Sequence, residues 1–147
     1  MPEVHPGFPG HSYRFTAPNV GTTPKLARDL VALLLVASGH EDLTDRARLL
    51  VSEVVTNVFQ HTQAALVTVD ATVGVDSVTV RVTDREPGSR PPMPRSFPED
   101  ADEHGRGLML VEAMADRWGV SVHGGLSPLD KSVWFALDGK GARGAQG

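Results

Sequence analysis

The segment that most constrains the fold is residues 49–61, which read LLVSEVVTNVFQH. At about 100° per residue in a helix, Glu53, Asn57 and His61 project onto one face. The opposite face is apolar and consists of Val51, Val54, Val55, Val58 and Phe59. A carboxylate beside an apolar, sheet-facing surface is costly unless it holds a metal, a water or a ligand. The segment therefore predicts an amphipathic helix whose polar face is a candidate active site.

Polar residues at this spacing also occur on the solvated faces of ordinary surface helices, so the helix alone does not define a site. Two later segments favour the functional interpretation, VTDREPG at 82–88 and HGRGL at 104–108. The first is a β-prone stretch that leads to an aspartate. The second is a glycine-rich lead into a helix, where the backbone can approach phosphate oxygens and the free amides of the helix terminus can bind them.

The three segments resemble the N box and the two glycine boxes of the GHKL ATPase superfamily, which has the Bergerat fold. The resemblance is closer to a single-domain branch, the anti-sigma-factor Ser/Thr kinases and their actinobacterial relatives, and covers roughly residues 12–138. It implies ATP and Mg²⁺ as cofactors, with the nucleotide between the helices and the sheet. The order strand, two helices, hairpin, loop, helix and two strands predicts an α+β sandwich, with helices on one face of a mixed, largely antiparallel sheet.

The resemblance also implies a role for each matching residue. Glu53 is expected to be the catalytic base, since a carboxylate can orient and deprotonate an attacking hydroxyl or water. Asn57 is expected to contact the nucleotide through Mg²⁺, for which an amide oxygen is a suitable ligand. Asp84 is expected to accept a hydrogen bond from the adenine amine. The other expected nucleotide contacts are Gly88, His104, Gly105, Arg106, Gly107 and Leu108.

The match is imperfect around Asp84. Glu86 stands where the family pattern has its first glycine, and it places a charged side chain where the backbone normally passes close to the base. His61 has two interpretations, a continuation of the N box or a residue that stabilises the helix end. Trp118 and Trp134 are expected to serve packing rather than ligand stacking.

Composition excludes several classes of function. The net charge of −4 and the scattered basic residues argue against direct nucleic-acid binding. No cysteine is present, which excludes disulfides, thiolate metal sites and thiol nucleophiles. The longest apolar run, residues 30–37, is far below the roughly 20 residues that span a bilayer, so no membrane partner is expected. No secretion signal is visible, and a cytoplasmic location is expected.

The 147 residues predict a flexible leader at 1–11, one domain at 12–138 and a disordered tail at 139–147. A helix from about residue 24 to 38 is expected, with Thr23 as its cap. Its predicted buried residues are Leu26, Leu30, Leu33 and Leu34. The next helix is expected to be capped by Asp42 or Thr44 and to end near His61. The predicted strands are residues 12–17, 65–73, 77–84, 118–122 and 132–137. A loop over 85–104 precedes a helix from 105 or 107 to about 117.

Three functions are considered. The first is a Ser/Thr kinase that phosphorylates an anti-sigma-factor antagonist and also sequesters a sigma factor. The second is a non-catalytic regulator of the same fold, in which ATP at most sets the conformation of the loop, and the irregular residue Glu86 favours it. The third is a metal-dependent hydrolase using Glu53 and His61, which has only the helical spacing in its favour. The resemblance also allows a homodimer.

Overall fold

The computed structural model describes residues 10–86, 108–123 and 129–139. Its strands are β1 (His11–Pro18), β2 (Leu66–Val73), β3 (Ser77–Glu86), β4 (Arg117–His123) and β5 (Leu129–Asp138). Its helices are α1 (Thr23–Ala37), α2 (Thr44–His61) and the described part of α3, residues 108–114. A short 3₁₀ turn, Glu41–Leu43, joins α1 to α2. No helix in these ranges is long and apolar enough to cross a membrane.

The strands form one sheet in the order β1-β2-β3-β5-β4, and each neighbouring pair is antiparallel. The predicted α+β sandwich is therefore confirmed. The β2–β3 hairpin is also confirmed, and it closes through a bond of 2.8 Å from the Gly74 amide to the Ser77 carbonyl. Both strands after α3 are longer than predicted. The helix ends before Arg117, where β4 already begins.

The core lies between one face of the sheet and the two long helices. Alternation along β2 and β3 puts valines on this face, and strand register aligns them with β5, so that Val69, Val82 and Val133 form one row. The fully buried side chains are dominated by branched aliphatic residues. Those of β2, β3 and β5 include Val67, Val78, Val80, Val82, Phe135 and Leu137.

Helix α2 packs on this face as its sequence pattern predicts. Four of the five expected apolar residues, Val51, Val54, Val55 and Val58, are buried. Phe59 is the exception, since 44% of its surface is exposed. Because the apolar stripe faces the sheet, the polar residues of α2 lie at the edge of the stripe or on its outer side.

The predicted buried stripe of α1 is wrong. The residues that face the core are Ala27, Val31, Ala32 and Leu35, whereas Leu26, Leu30 and Leu33 are exposed and Leu34 is half-buried. The reason is that α1 has apolar residues around most of its circumference, so periodicity does not identify one buried side. Three of the four inward residues are smaller than leucine, which lets α1 pack closely on α2 and the sheet.

The expected helix caps are also absent. Thr22, not Thr23, is the N-cap of α1, and its side chain makes no capping bond. The Thr23 hydroxyl instead donates to the Pro18 carbonyl. Helix α2 follows directly on the 3₁₀ turn and has Leu43 as its N-cap, so neither Asp42 nor Thr44 caps it. The end of α1 is as predicted, with Gly39 at a φ of 86°.

The two tryptophans serve packing, as expected. Trp118 lies on the helix-covered face and packs against the core. Trp134 lies on the other face, where its indole covers Gly119 so closely that a β-carbon there would lie 2.6 Å from the indole nitrogen. The interaction explains why a residue without a side chain stands in the middle of the edge strand β4.

Candidate functional site

The polar face of α2 lies at the margin of the core. Glu53, Asn57 and His61 follow each other at one-turn intervals, and all three are half-buried. His61 is the last residue of the helix, which is the position where an imidazolium would interact favourably with the helix dipole. The helix therefore presents a carboxylate and an amide side by side, next to the apolar surface formed by its buried valines.

Asp84 is buried within β3, with 4% of its surface exposed. The prediction that it ends a strand is wrong, because β3 continues to Glu86 and pairs with β5 over Arg85 and Glu86. Its side chain lies on the same face as Val82, two residues earlier, and so points toward the helices. The position of Asp84 inside the sheet therefore places a carboxylate beneath the helix layer.

A cavity between α2 and the sheet joins residues from four elements. Its lining consists of Val54, Asn57, Val58, Val82, Asp84, Leu108, Lys131 and Val133. Its volume is about 50 Å³, which is too small for a purine, so base binding requires the lining side chains to separate. Three of the residues singled out in the sequence, Asn57, Asp84 and Leu108, thus share one cavity.

Of the remaining predicted site residues, Glu53 alone lies within the described ranges. Glu53 lies on α2 one turn before Asn57, outside the lining of the cavity. Gly88, His104, Gly105, Arg106 and Gly107 lie outside the described residues, so their predicted roles are not tested. Leu108 is the first described residue of α3 and connects the cavity to the glycine-rich segment in sequence.

Lys131 is a lining residue that sequence reasoning did not select. It pairs directly with Asp84 across β3 and β5, so the two side chains leave the sheet on the same face. Alternation along β5 could have identified it, because Lys131 lies on the same face of the sheet as the core residues Val133 and Phe135. A lysine at a core-facing position of a strand is unusual, and here the register makes it the cross-strand neighbour of the buried Asp84.

On the face of the sheet away from the helices, an ion pair lies next to the Asp84 and Lys131 positions. Arg85 donates from Nε to Oδ1 of Asp130 at 2.8 Å. This hydrogen bond, with the charge of Asp130, raises the pKa of Arg85. The pair links β3 to β5 next to the Asp84 and Lys131 positions, and it therefore supports the register that places them together.

Arg46 fixes the position of α3 relative to α2. Its Nη1 donates to the Met114 carbonyl at 2.9 Å and lies 3.7 Å from a carboxylate oxygen of Asp116. A cation that binds a carbonyl in the last turn satisfies a group that has no partner within the helix. Because Leu108 of the same helix lines the cavity, this contact supports the wall of the site from its far end.

The donor set fits a metal that is bound mainly through a nucleotide. Within the described ranges, no group of three or more His, Cys, Asp or Glu residues could hold a metal ion. Mg²⁺ keeps several waters and takes few protein ligands beside substrate phosphates. Asn57, half-buried at the edge of the cavity, offers one neutral oxygen of the type that Mg²⁺ accepts.

A larger hollow of about 400 Å³ lies at the opposite end of the sheet, around the β2–β3 turn. Its lining includes Glu41, Asp42 and Asp76 together with His40. The His40 ring is buried and its Nε2 lies 3.0 Å from the Gly74 carbonyl, which ties α1 to the hairpin. The three carboxylates would repel phosphates, so the smaller cavity at Asp84 is the better candidate site.

A helix-on-sheet domain with a cavity between helix and sheet has the Bergerat-like architecture of GHKL-type ATPases. A family model of the histidine kinase-like ATPase domain matches residues 16–134, and the chain belongs to that family. Such a domain implies ATP binding. A search of curated proteins finds no significant match.

The Arg46 contact generates a prediction about stability. Replacing Arg46 with Met keeps the aliphatic stem but removes the donor to Met114, and we expect a loss of about 1–2 kcal/mol in the free energy of unfolding. Arg48→Met is the matched control, because Arg48 is more exposed and, among the described residues, its ion pair is with the exposed Asp29 at 3.6 Å, so little change is expected. Urea denaturation measures both variants. Equal losses would contradict a special role for Arg46.

Proposed function

We propose that the protein is an ATP- and Mg²⁺-binding regulator that phosphorylates a Ser or Thr of an anti-sigma-factor antagonist and sequesters the corresponding sigma factor. The observation that carries the proposal is the cavity that Asn57 of α2 and Asp84 of β3 line together. These two residues come from the segments that resemble two family motifs. Family membership supports the nucleotide, and the intact Glu53 and Asn57 support the transfer step.

Asp84 is the proposed adenine contact. A carboxylate accepts hydrogen bonds only, which matches the exocyclic amine of adenine and not the carbonyl oxygen of guanine. Lys131, in register with Asp84, places a cation in the same cavity and offsets the cost of burying the carboxylate there. The valines of the lining supply the apolar surface that a base requires.

Asn57 and Glu53 are the proposed groups for the phosphate end. Asn57 would hold Mg²⁺, which supplies charge neutralisation for the phosphates when bound. Glu53 would accept the proton of the substrate hydroxyl while the hydroxyl oxygen forms a bond to the terminal phosphorus. The bond between that phosphorus and ADP breaks in the same transfer. The one-turn separation of the two residues lets one rigid helix position the base beside the metal ligand.

The second candidate is a regulator that binds its partner without phosphoryl transfer. The observation in its favour is Glu86, which replaces a glycine in the segment after Asp84. In the family pattern a glycine at this position lets the backbone pass close to the base, so a glutamate there favours weaker nucleotide binding. The two candidates share the fold and the cavity, and they differ in whether Glu53 moves a proton.

We predict that Asp84→Asn loses about 1–3 kcal/mol of ATP binding free energy, because one acceptor oxygen becomes a donor facing the adenine amine. The parent protein should prefer ATP to GTP, and the variant should lose much of this preference. Isothermal titration with both nucleotides measures the change, and circular dichroism checks the fold. Equal affinity of the parent for ATP and GTP would show that Asp84 does not recognise adenine.

We predict that Asn57→Ala removes the Mg²⁺-dependent part of ATP binding, with a loss of at least ~10-fold in affinity. The fold should persist, because Ala is the better helix former. Gln60→Ala is the matched control, since Gln60 is an exposed amide on the same helix. ATP titrations with Mg²⁺ and with EDTA give the metal-dependent difference for each protein. The metal role is refuted if Asn57→Ala keeps the difference of the parent.

We predict that Glu53→Gln retains most ATP affinity but loses phosphoryl transfer by ~10²–10⁴-fold, the usual effect of removing a general base. The assay incubates each protein with radiolabelled ATP, Mg²⁺ and candidate antagonist proteins, and a pull-down measures partner capture in parallel. Radiolabel that the parent transfers to an antagonist, and that Glu53→Gln does not transfer, supports the kinase. Capture of the antagonist without label from either protein supports the non-catalytic regulator instead.

A further inference from the structure

Lys131 of β5 is the one basic residue among the described residues that line the cavity between α2 and the sheet. It lies directly opposite Asp84 in the pairing of β3 with β5, and both side chains leave the sheet on the helix-covered face. Val82 and Val133 are the next pair on that face, so the two charged residues continue a row of aliphatic contacts. Charged side chains at such positions are costly to bury, which points to a role beyond packing.

The ammonium group of Lys131 takes no part in the ion pairs between described residues. By contrast, Arg85, which follows Asp84 on the outer face of the sheet, binds Asp130 at 2.8 Å. An ammonium group carries three donor hydrogens and no acceptor. Within the described part of the chain, Lys131 therefore brings unused donors to the wall of the cavity.

We propose that Lys131 determines specificity for the base, by donating a hydrogen bond to N1 of adenine while Asp84 accepts one from the neighbouring exocyclic amine. This role rests on the proposed function, since the cavity must receive ATP. The amine and N1 are adjacent on one edge of adenine, and they present a donor followed by an acceptor. An acceptor on β3 and a donor on β5 complement that edge.

Lys131 is better placed for this contact than any other described lining residue. Apart from Lys131, Asn57 has the one side chain in the described lining with donor hydrogens, and the proposed function places it at the phosphate end. The remaining lining residues are aliphatic, except the acceptor Asp84. Directly opposed residues on neighbouring antiparallel strands have β-carbons roughly 5 Å apart. One edge of a purine can therefore contact both side chains.

The length of the lysine side chain also suits the size of the cavity. The volume of about 50 Å³ is smaller than a purine, so lining side chains must move when a base enters. Lysine has a flexible four-carbon stem, whereas the carboxylate of Asp84 stands on a short stem in the middle of the sheet. Lys131 can swing aside, keep its methylene groups against the base and still reach its edge.

Guanine does not fit the same pair of groups. In the orientation proposed for adenine, O6 of guanine would face Asp84 and its N1–H would face Lys131, so acceptor meets acceptor and donor meets donor. A shift of the base by one position would bring N1–H to Asp84, but the amine at C2 would then face Lys131. Turning the purine over would carry the ribose to the other side of the base. Lys131 therefore opposes guanine in positions that Asp84 by itself would accept.

A purely electrostatic role for Lys131 makes a different prediction. A lysine that only offsets the charge of Asp84 strengthens the binding of every purine that contacts Asp84, with or without a nitrogen at position 1. A lysine that donates to N1 strengthens only purines that have this nitrogen. The two roles are therefore separated by changing single atoms of the base.

Titration of the full chain with three nucleotides tests the contact without any mutation. In 1-deaza-ATP a C–H group replaces N1 and the amine is kept, so the parent should bind it ~10- to 100-fold less tightly than ATP. Purine riboside triphosphate keeps N1 but lacks the amine, and its affinity should fall through the loss of the Asp84 contact. Equal affinity for ATP and 1-deaza-ATP overturns the role of Lys131 and leaves the ATP site standing. No binding of ATP at about 1 mM overturns the proposed function as well.

Lys131→Met assigns the N1 effect to this side chain, because methionine keeps a long unbranched chain and removes the donor. The variant should bind ATP and 1-deaza-ATP within about 2-fold of each other, while it still discriminates against purine riboside triphosphate. Lys25→Met is the matched control, since Lys25 is an exposed lysine of α1 outside the cavity lining, and it should behave as the parent. Circular dichroism checks the fold of both variants. If Lys131→Met weakens ATP and 1-deaza-ATP by the same factor, Lys131 acts through its charge alone and the proposed contact with N1 is wrong.

Discussion

The packing of the α2 valines on the valines of β2, β3 and β5 is the contact on which the rest of the structure depends. It removes a continuous apolar surface from water, at roughly 25 cal/mol for each Å² buried. It also fixes the rotation of α2 about its own axis. Once Val54 and Val58 face the sheet, Asn57 must lie at the edge of the core, above the strand that carries Asp84.

The sequence predicts α2 and the hairpin well because each has one clear periodicity. Val51, Val54, Val55 and Val58 recur with the period of a helix, and the valines of β2 and β3 alternate with polar residues. The placement of Asn57 beside Asp84 could therefore be anticipated, since one residue follows from helical phase and the other from strand phase. These local patterns specify most of the described cavity.

The features that the sequence did not predict depend on contacts between distant segments. Periodicity could not select the inward side of α1, because Leu33 and Leu35 are equally apolar and only the surrounding fold decides which one is buried. Lys131 was missed because its partner Asp84 is identified only by the pairing of β3 with β5. The carbonyl of Met114 is likewise bound by Arg46, far away along the chain.

The two sides of α1 differ in the size of their apolar residues, and close packing of the helix accounts for the difference. The inward side uses the smaller residues Ala27, Val31 and Ala32, so the helix approaches α2 and the sheet closely. The larger leucines that would have filled a deeper core are left on the outside. Leu35 is the one leucine of α1 that is fully buried, so short side chains fill the space beneath the rest of the helix. The exposed leucines therefore follow from how closely α1 approaches the sheet, which the periodicity of its sequence does not specify.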